Sequence, residues 1–420
     1  MEVGDVTGIY PMLSVEEARG RILARIRPLP AETVRITDAL GRVTAADVVA
    51  DYDIPPHANT AMDGYAVRAA DTVGASPDNP VRLRVIADLA AGYVADKEVI
   101  PGTAIRIMTG APIPPGADAV VRFEQTNQDG DYVEIMTEVP AGKEVRPAGE
   151  DVRAGETVIP QGTILRPQEI GMLAALGRRE VVVTRRPRVG ILATGDELVG
   201  IDDPLGPGKI RNSNTYSNAA QVQRYGGIPV ILGIARDREG EIAGKLRAGL
   251  REGVDLLLVS GGVSVGDFDV VKKVLASEGR IEFWRVRMKP GKPLAFGYLS
   301  FNGKDVPVIG TPGNPVSTMV SFEMFARPAI LSLLGARTLD PVAIWARLAD
   351  EISEKDSRRH YVRVWLEDRE GEYVAHLTGD QGSGILSSMV KADGLAVIPE
   401  DWDRADPDTR VRVILLGSVR

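Results

Sequence analysis

The chain has 420 residues, a formal net charge of −8, 44% hydrophobic residues and no cysteine, and this length allows roughly two to four domains. Its acidic balance argues against a broad nucleic-acid or membrane-binding surface, and the lack of cysteine excludes disulfides, thiolate metal sites, iron–sulfur clusters and a cysteine nucleophile. Three scattered histidines do not make a histidine-rich metal site. The first residues show no secretory signal and no run approaches the ~20 apolar residues of a membrane span, so we expect a cytoplasmic protein.

The first predicted element is a helix over residues 11–27, because Ser14 and Glu17 have the spacing of a capping box. From about residue 30 to 140, short alternating runs and turn residues predict strands, and hence a β-rich module. Turn signals then lead to a predicted helix from Pro167 to Leu176, which ends at a glycine.

From residue 187 onwards, strand and helix patterns alternate. The predicted strands are Val189–Ala193, Val230–Ala235, Asp255–Val259, Glu282–Val286, 294–298 and 306–309. The predicted helices are 215–225, 239–251, 267–277 and 316–334. This alternation predicts a doubly wound, mostly parallel α/β sheet with helices on both faces. A last segment, with strand patterns at Tyr361–Leu366 and Val411–Leu416, predicts a small β-barrel or sandwich.

Two glycine-rich loops, Ser260–Asp269 and Gly310–Ser317, each follow a predicted strand and open a predicted helix. The first N–H groups of a helix lack partners and carry positive potential, so each loop is a candidate anion cradle. Asn314 as N-cap and Pro315 as first helical residue already explain much of the second loop. Together the two loops predict a phosphorylated or nucleotide-like ligand.

Acidic residues follow the predicted strands at the edge where ligands bind in such sheets: Asp196, Glu197, Asp237, Asp267 and Asp269. Acids beside a phosphate cradle need a cation between them and the ligand, and carboxylates suit Mg²⁺. We interpret Asp267 as a helix cap, and Asp196 and Glu197, which follow a buried strand directly, as ligand groups.

Positive charge for the anion comes from Lys289 and Lys292, which Pro290 and Pro293 hold on a stiff turn. The alternative is a basic turn that only faces solvent. The chain contains no P-loop, and no Ser/His/Asp triad is indicated by the context of its three histidines. Residue chemistry therefore indicates an enzyme or binding protein for a phosphate-bearing anion with a hard cation, and it names no ligand.

Nine segments in order together resemble one family, the molybdopterin molybdenumtransferases of MoeA type, whose eukaryotic relatives include the gephyrin E domain. The segments are Ala61–Ala66, Thr109–Asp118, Gly149–Asp151, Thr194–Leu198, Asn212–Asn214, Ser260–Asp267, Lys289–Pro293, Pro312–Ser317 and Gly382–Ser388. Each one alone is a weak motif, but nine in order over nearly the whole chain are a specific signal.

The resemblance implies a four-part, L-shaped subunit. Its parts would be an elongated domain from two stretches (1–56 and 142–186), a β-rich inserted domain (57–141), a molybdopterin-binding α/β domain (187–337) and a C-terminal β-barrel (338–420). It also implies a homodimer, with each active-site cleft between the α/β domain of one subunit and the β-rich domain of the other. The implied partners include the adenylyltransferase that loads molybdopterin and the molybdoenzymes that receive the cofactor.

The implied reaction takes adenylylated molybdopterin, molybdate and Mg²⁺, inserts molybdenum into the dithiolene and releases AMP. Residues that match the family's metal site are Asp196, Glu197, Asp237 and Asp269. Residues with an implied catalytic role are Asp63, Thr109, Asp151, Glu197, Asp237 and Asp269. Residues with an implied role in binding the pterin, its phosphates or molybdate are Thr194, Gly195, Ser260, Gly261, Gly262, Ser264, Lys289, Lys292, Pro312, Gly313, Asn314, Pro315, Arg358 and Ser383.

Two positions depart from the family pattern. Thr311 stands where leucine often precedes the Pro-Gly-Asn-Pro motif, which predicts a packing change. Ser357 replaces the glycine usual before Arg358, which puts the role of this arginine in question. Two alternatives remain: an enzyme like the adenylyltransferase, which would resemble the α/β domain alone, and a non-catalytic molybdopterin-binding scaffold, which loss of the strand-end acids would favour.

Overall fold

The computed structural model describes residues 11–262, 273–275, 277, 279–353 and 356–417. The chain forms two compact units. The first contains the stretch up to Ala46, Gln161–Ile170 and the chain from Glu180 onwards, and the second contains Asp47–Pro160 and Gly171–Arg179. The finer division into four domains stays a prediction.

A seven-stranded sheet organises the first unit. Its strands, in spatial order, are Met12–Leu13, Gly279–Val286, Pro293–Phe301, Lys304–Thr311, Leu256–Ser260, Arg188–Thr194 and Ile228–Ala235. Four of its six strand pairs are parallel, as the alternating pattern predicted. The strands Pro293–Phe301 and Lys304–Thr311 form an antiparallel hairpin. Its turn is Asn302 and Gly303, which both have the positive φ that two-residue hairpin turns favour.

Helices cover both faces of this sheet, which confirms the doubly wound arrangement. Ile242 and Leu246 pack with one core cluster, and Val222 and Ile330 pack with the other. Over both units, the described residues form the helices Val15–Leu23, Pro167–Ala175, Asn214–Arg224, Glu239–Arg251, Pro315–Ser321, Arg327–Leu333 and Leu386–Lys391, a π-helical turn at Phe322–Ala326, and 3₁₀ turns at Ile36–Asp38, Ala69–Thr72 and Phe123–Gln125. Most of the predicted helix 267–277 lies outside the described residues.

Two predicted helices differ from the structure in their bounds. The first has its capping box from Ser14 and Glu17, but it is shorter than 11–27, because Met12–Leu13 adds a parallel strand to the sheet edge. The predicted helix 316–334 is interrupted by the π-helical turn at Phe322–Ala326. Pro328 is the second residue after this turn; it has no N–H, so one regular helical hydrogen bond back to the preceding turn is missing, which accounts for the interruption.

The C-terminal part of the first unit is a closed five-stranded barrel. Its strands, in order around the barrel, are Arg359–Arg369, Glu372–Leu377, Ala343–Leu348, Arg410–Leu415 and Gly394–Ile398, which pairs again with the first. Because the first and last strands pair, this region is a barrel and not a sandwich, the two folds that the sequence predicted for it. The short strand Met288–Lys289 adds to it in parallel with Arg359 and His360. Three further pairs in this unit are Ala31–Arg35 with Glu180–Thr184, Leu198–Val199 with Ile210–Arg211, and Ile352–Ser353 with Arg404–Ala405.

The second unit is β-rich, as the sequence predicted. Its six-stranded sheet has the order Ala119–Arg122, Gly64–Val67, Thr103–Ile107, Val81–Leu89, Tyr132–Ile135 and Thr126–Asp129. Two small pairs accompany it, Asn59–Thr60 with Val145–Arg146 and Val48–Val49 with Thr157–Ile159. Among the described residues of both units, no helix is long and apolar enough to cross a membrane.

Candidate functional site

A cleft of about 1020 Å³ lies at the carboxyl edge of the seven-stranded sheet. The loops after four neighbouring strands line it, those of Lys304–Thr311, Leu256–Ser260, Arg188–Thr194 and Ile228–Ala235. Fourteen residues named from the sequence meet there: Thr194, Gly195, Glu197, Asp237, Gly261, Gly262, Lys289, Lys292, Pro312, Gly313, Asn314, Pro315, Arg358 and Ser383. This is the edge at which open α/β sheets bind ligands.

The first glycine loop approaches the neighbouring strand closely. Gly261 has a φ of 91°, and a Cβ atom there would lie 2.5 Å from the carbonyl oxygen of Thr194, so only glycine fits. Its N–H donates to the carbonyl of Thr311 over 3.1 Å. Ser260 does not line the cleft: it is buried, and its Oγ has no hydrogen-bond partner within the described chain. Ser264, Asp267 and Asp269 lie outside the described residues.

The second glycine loop is joined to the C-terminal region. Asn314 occupies the N-cap position before Pro315, as predicted, but its side chain does not cap the helix. Its Nδ2 instead donates to Ser383 Oγ over 2.9 Å, and the Val316 N–H donates to the Ser383 carbonyl over 3.1 Å. Asn214 Nδ2 donates to the Gly313 carbonyl over 2.7 Å. Thr311 before the loop is buried, and its Oγ1 donates to the Val259 carbonyl over 3.4 Å.

The acids at this edge have different positions. Glu197 and Asp237 line the cleft, are exposed, and form no ion pair within the described chain. Asp196 is not part of the lining; its Oδ1 accepts the Asp237 N–H over 3.3 Å. No group of three or more metal-binding side chains is formed by the described residues, and the predicted ligand Asp269 is not among them. The four-residue cation site therefore stays a prediction.

Positive charge enters the cleft from Lys289, Lys292 and Arg358. Lys289 Nζ lies 3.9 Å from Asp356 Oδ2, and Arg358 donates to the same carboxylate. Burial acts to raise the pKa of Asp356, but hydrogen bonds from Arg358 and His360 outweigh it and hold this pKa well below its usual range. Asp356 is thus ionised at neutral pH, and it orients the Arg358 guanidinium.

Ser357, the departure noted before Arg358, has a φ of 53°. This left-handed conformation favours glycine and is strained for other residues, which gives the physical reason for the family's glycine. The serine nevertheless adopts it, and Arg358 lines the cleft. The substitution therefore leaves this arginine in place.

The polar lining residues that lie outside every segment and every position named from the sequence are Asp380 and Gln381. Asp380 Oδ1 accepts the Gly382 N–H over 2.7 Å. Gln381 Oε1 accepts the Arg363 N–H over 2.9 Å, and Gln381 Nε2 donates to the Arg363 carbonyl over 3.2 Å. Their signal was a dense turn sequence just before the Gly382–Ser388 motif. Of the other lining residues, Ile210 lies outside the segments named from the sequence, whereas Pro290, Gly291, Pro293, Ser317 and Gly382 lie within them.

The three remaining predicted residues belong to the second unit. Asp63 Oδ1 accepts hydrogen bonds from both the backbone N–H and the hydroxyl of Thr109, each 2.7 Å long. These bonds lower the pKa of Asp63, the backbone bond more than the hydroxyl bond. The Asp151 N–H donates to the Ile54 carbonyl. A catalytic role for these three residues stays a prediction.

The fold and the cleft together define an α/β protein with a site for an anionic ligand. Three family models match the chain: the MoeA N-terminal region (domains I and II) over residues 13–177, a probable molybdopterin-binding domain over 190–332, and the MoeA C-terminal region (domain IV) over 345–416.

Relatives match over almost their whole length. The molybdopterin molybdenumtransferase of Nostoc sp. is 38% identical over 93% of this chain and 90% of its own. Molybdopterin molybdenumtransferase 2 of Mycobacterium tuberculosis is 38% identical over 96% and 99%. The crystal structure of the molybdopterin biosynthesis moeA protein from Pyrococcus horikoshii OT3 has a TM-score of 0.85 at 34% identity, covering 96% and 100%. The chain belongs to the molybdopterin molybdenumtransferase (MoeA) family of transferases in molybdenum cofactor biosynthesis.

Proposed function

We propose that this protein inserts molybdenum from molybdate into adenylylated molybdopterin, in a reaction that requires Mg²⁺ and releases AMP. The observation that carries this proposal is the meeting, in one cleft, of two glycine loops, three basic side chains, and two acids that form no ion pair with any described residue. As part of the same proposal, the protein acts in the cytoplasm as a homodimer, with Asp63, Thr109 and Asp151 serving catalysis.

The residues present suit a hard divalent cation. Glu197 and Asp237 offer carboxylate oxygens that no described residue neutralises. In the proposal they hold Mg²⁺ together with Asp196 and Asp269. When bound, the cation supplies positive charge that allows a phosphate group to lie beside these acids.

The chain's own groups divide the remaining tasks. The backbone of Gly261, Gly262 and Gly313 allows phosphate oxygens to approach closely, since none of these residues has a side chain. Lys289, Lys292 and Arg358 offset the charge of phosphate and attract molybdate. The hydroxyl of Ser383, positioned by Asn314, is a further contact for an oxyanion.

The test mixes purified protein with adenylylated molybdopterin, molybdate and Mg²⁺, and measures AMP release together with molybdenum bound to the pterin. We expect both products, and neither when molybdate or Mg²⁺ is omitted. Tight pterin binding without AMP would instead indicate a carrier or scaffold. Formation of adenylylated molybdopterin from molybdopterin and ATP would indicate the adenylyltransferase reaction. Sedimentation of the same preparation tests the homodimer.

A further inference from the structure

A second, smaller cavity of about 160 Å³ adjoins the cleft, and Lys289, Pro290 and Gln381 line both. Its remaining wall comes mainly from the barrel and includes Arg363. A cavity of this size has room for several water molecules and therefore for a small ion.

Arg363 is the buried cation of this cavity, with 2% of its surface exposed. Its Nε donates to Ser388 Oγ over 3.1 Å and its Nη2 to the Gly382 carbonyl over 3.0 Å. Within the described chain its Nη1 makes no hydrogen bond, and no carboxylate forms an ion pair with it. Burial lowers the pKa of Arg363 to about 10, against the opposing field of Asp380, so the side chain is charged at neutral pH.

This isolation distinguishes Arg363 from the other buried arginines in the described chain. Arg42 pairs with Glu32, and Arg327 pairs with Glu323. A buried charge that no carboxylate contacts is costly, and an anion bound in the adjoining cavity would offset this cost. Glu351, the acid in the same cavity wall, is paired with Arg404 at 3.0 Å.

We propose that this cavity is a subsite for one small tetrahedral oxyanion, the class to which molybdate, sulfate and phosphate belong, with Arg363 as its counter-charge. The shared wall at Lys289 and Gln381 places the subsite beside the cleft, so that an ion held there supplies the reaction. The inference rests on the proposed function only in taking molybdate as the oxyanion that is used.

The first experiment is calorimetric titration of the full chain with molybdate in buffer free of sulfate and phosphate. We expect Arg363→Met, which removes the charge, to bind one ion fewer per chain or to weaken that ion at least tenfold. Arg369→Met, on the same strand but exposed, should bind like the wild type. Arg358→Met, in the cleft, should keep the Arg363-dependent ion. Unchanged stoichiometry and affinity in Arg363→Met would overturn the subsite.

Thermal unfolding of the same variants separates a binding role from a structural one. Without oxyanion, Arg363→Met should melt no lower than the wild type, because it removes an unpaired buried charge, and molybdate should stabilise it less. A lower melting temperature with unchanged molybdate binding would mean that the guanidinium only supports the Gly382 loop. Arg363→Lys keeps the charge and should keep the ion with weaker affinity, which preserves the test if the methionine variant does not fold.

Competition identifies the oxyanion. Sulfate and phosphate should displace molybdate from the Arg363-dependent site only at higher concentration. A site that binds sulfate or phosphate but does not bind molybdate would overturn the supply role. The AMP assay keeps the two proposals distinguishable. An Arg363-dependent ion without AMP release would support the subsite and contradict the proposed function, and AMP release without such an ion would do the reverse.

Discussion

The two edges of the seven-stranded sheet use aspartate and glutamate in opposite ways. At the amino edge, the Asp255 side chain is only 1% exposed and accepts hydrogen bonds from Arg185 at 2.8 and 2.9 Å and from Lys304 at 3.0 Å. At the carboxyl edge, Glu197 and Asp237 are exposed and have no ion-pair partner in the described chain. The buried acid at the amino edge thus has its counter-charges within the fold, whereas the two exposed acids at the carboxyl edge have none within the described chain.

The largest expected effect is at the amino edge. We expect Asp255→Asn to lower the free energy of unfolding by about 3 kcal/mol, because Arg185, Lys304 and the Arg188 N–H lose a buried charged hydrogen-bond acceptor while the two cations stay partly solvated. Urea unfolding measures this loss. The matched control is Glu252→Gln, which removes an exposed carboxylate 3.6 Å from Arg188 and should cost at most about 1 kcal/mol. Equal losses in both variants would contradict a structural role specific to Asp255.

The carboxyl edge should show the opposite response. We expect Glu197→Gln to reduce turnover at least ~100-fold, equivalent to about 2.7 kcal/mol of activation free energy, with an unchanged melting temperature. Asp237→Asn and Asp269→Asn should behave in the same way. The AMP-release assay measures turnover, with Asp202→Asn, an exposed acid outside the cleft lining, as the control. Full activity in all three variants would remove the cation-site proposal.

Acid unfolding sharpens the comparison further. Burial acts to raise the pKa of Asp255, but hydrogen bonds from Arg185, the Arg188 N–H and Lys304 bring it below the usual 3.8. Since the folded state binds this proton less readily than the unfolded state, the stabilisation is complete above about pH 4–5 and is lost as pH falls through the lowered pKa. Unfolding free energies measured from pH 6 to pH 2 should therefore decline less steeply in Asp255→Asn. Parallel curves for variant and wild type would contradict this assignment.

The smallest expected effect is at Ser357, beside the cleft. Ser357→Gly should raise the free energy of unfolding by at most about 1 kcal/mol, because glycine adopts its positive φ without strain. Ser353→Gly, in the extended strand Ile352–Ser353, is the control and should lower it. Urea unfolding measures the free energy of unfolding of both variants. A lower value for Ser357→Gly than for the wild type would show that the left-handed serine is not strained.

Local signals in the sequence were sufficient for much of this structure. Ser14 and Glu17 predicted a helix start that the structure confirms with both capping bonds. The apolar run before Thr194 predicted a buried strand, and the strand that forms, Arg188–Thr194, carries its acids to the sheet edge. These predictions succeeded because capping and strand burial depend on neighbours within a few residues.

Contacts between distant segments could not be predicted in this way. Nothing local shows that the Asn314 side chain bonds Ser383, 69 residues away, instead of capping its own helix. Asp380 and Gln381 look like ordinary turn residues until the barrel places them at the cleft. Arg363 becomes buried, without an ion-pair partner in the described chain, only because the barrel closes around it. The residue pattern of a single strand does not show this closure.

The segments that line the cleft are far apart in the chain and are therefore synthesised at different times. Its lining runs from Thr194 to Ser383, and the barrel that carries the last lining loop closes with the strand Arg410–Leu415. At ~5–20 residues per second, roughly 10–40 s of translation separate the first wall from the last. A ribosome-bound chain therefore displays its glycine loops well before it can enclose a ligand, and the binding site forms only as synthesis reaches the final barrel strand.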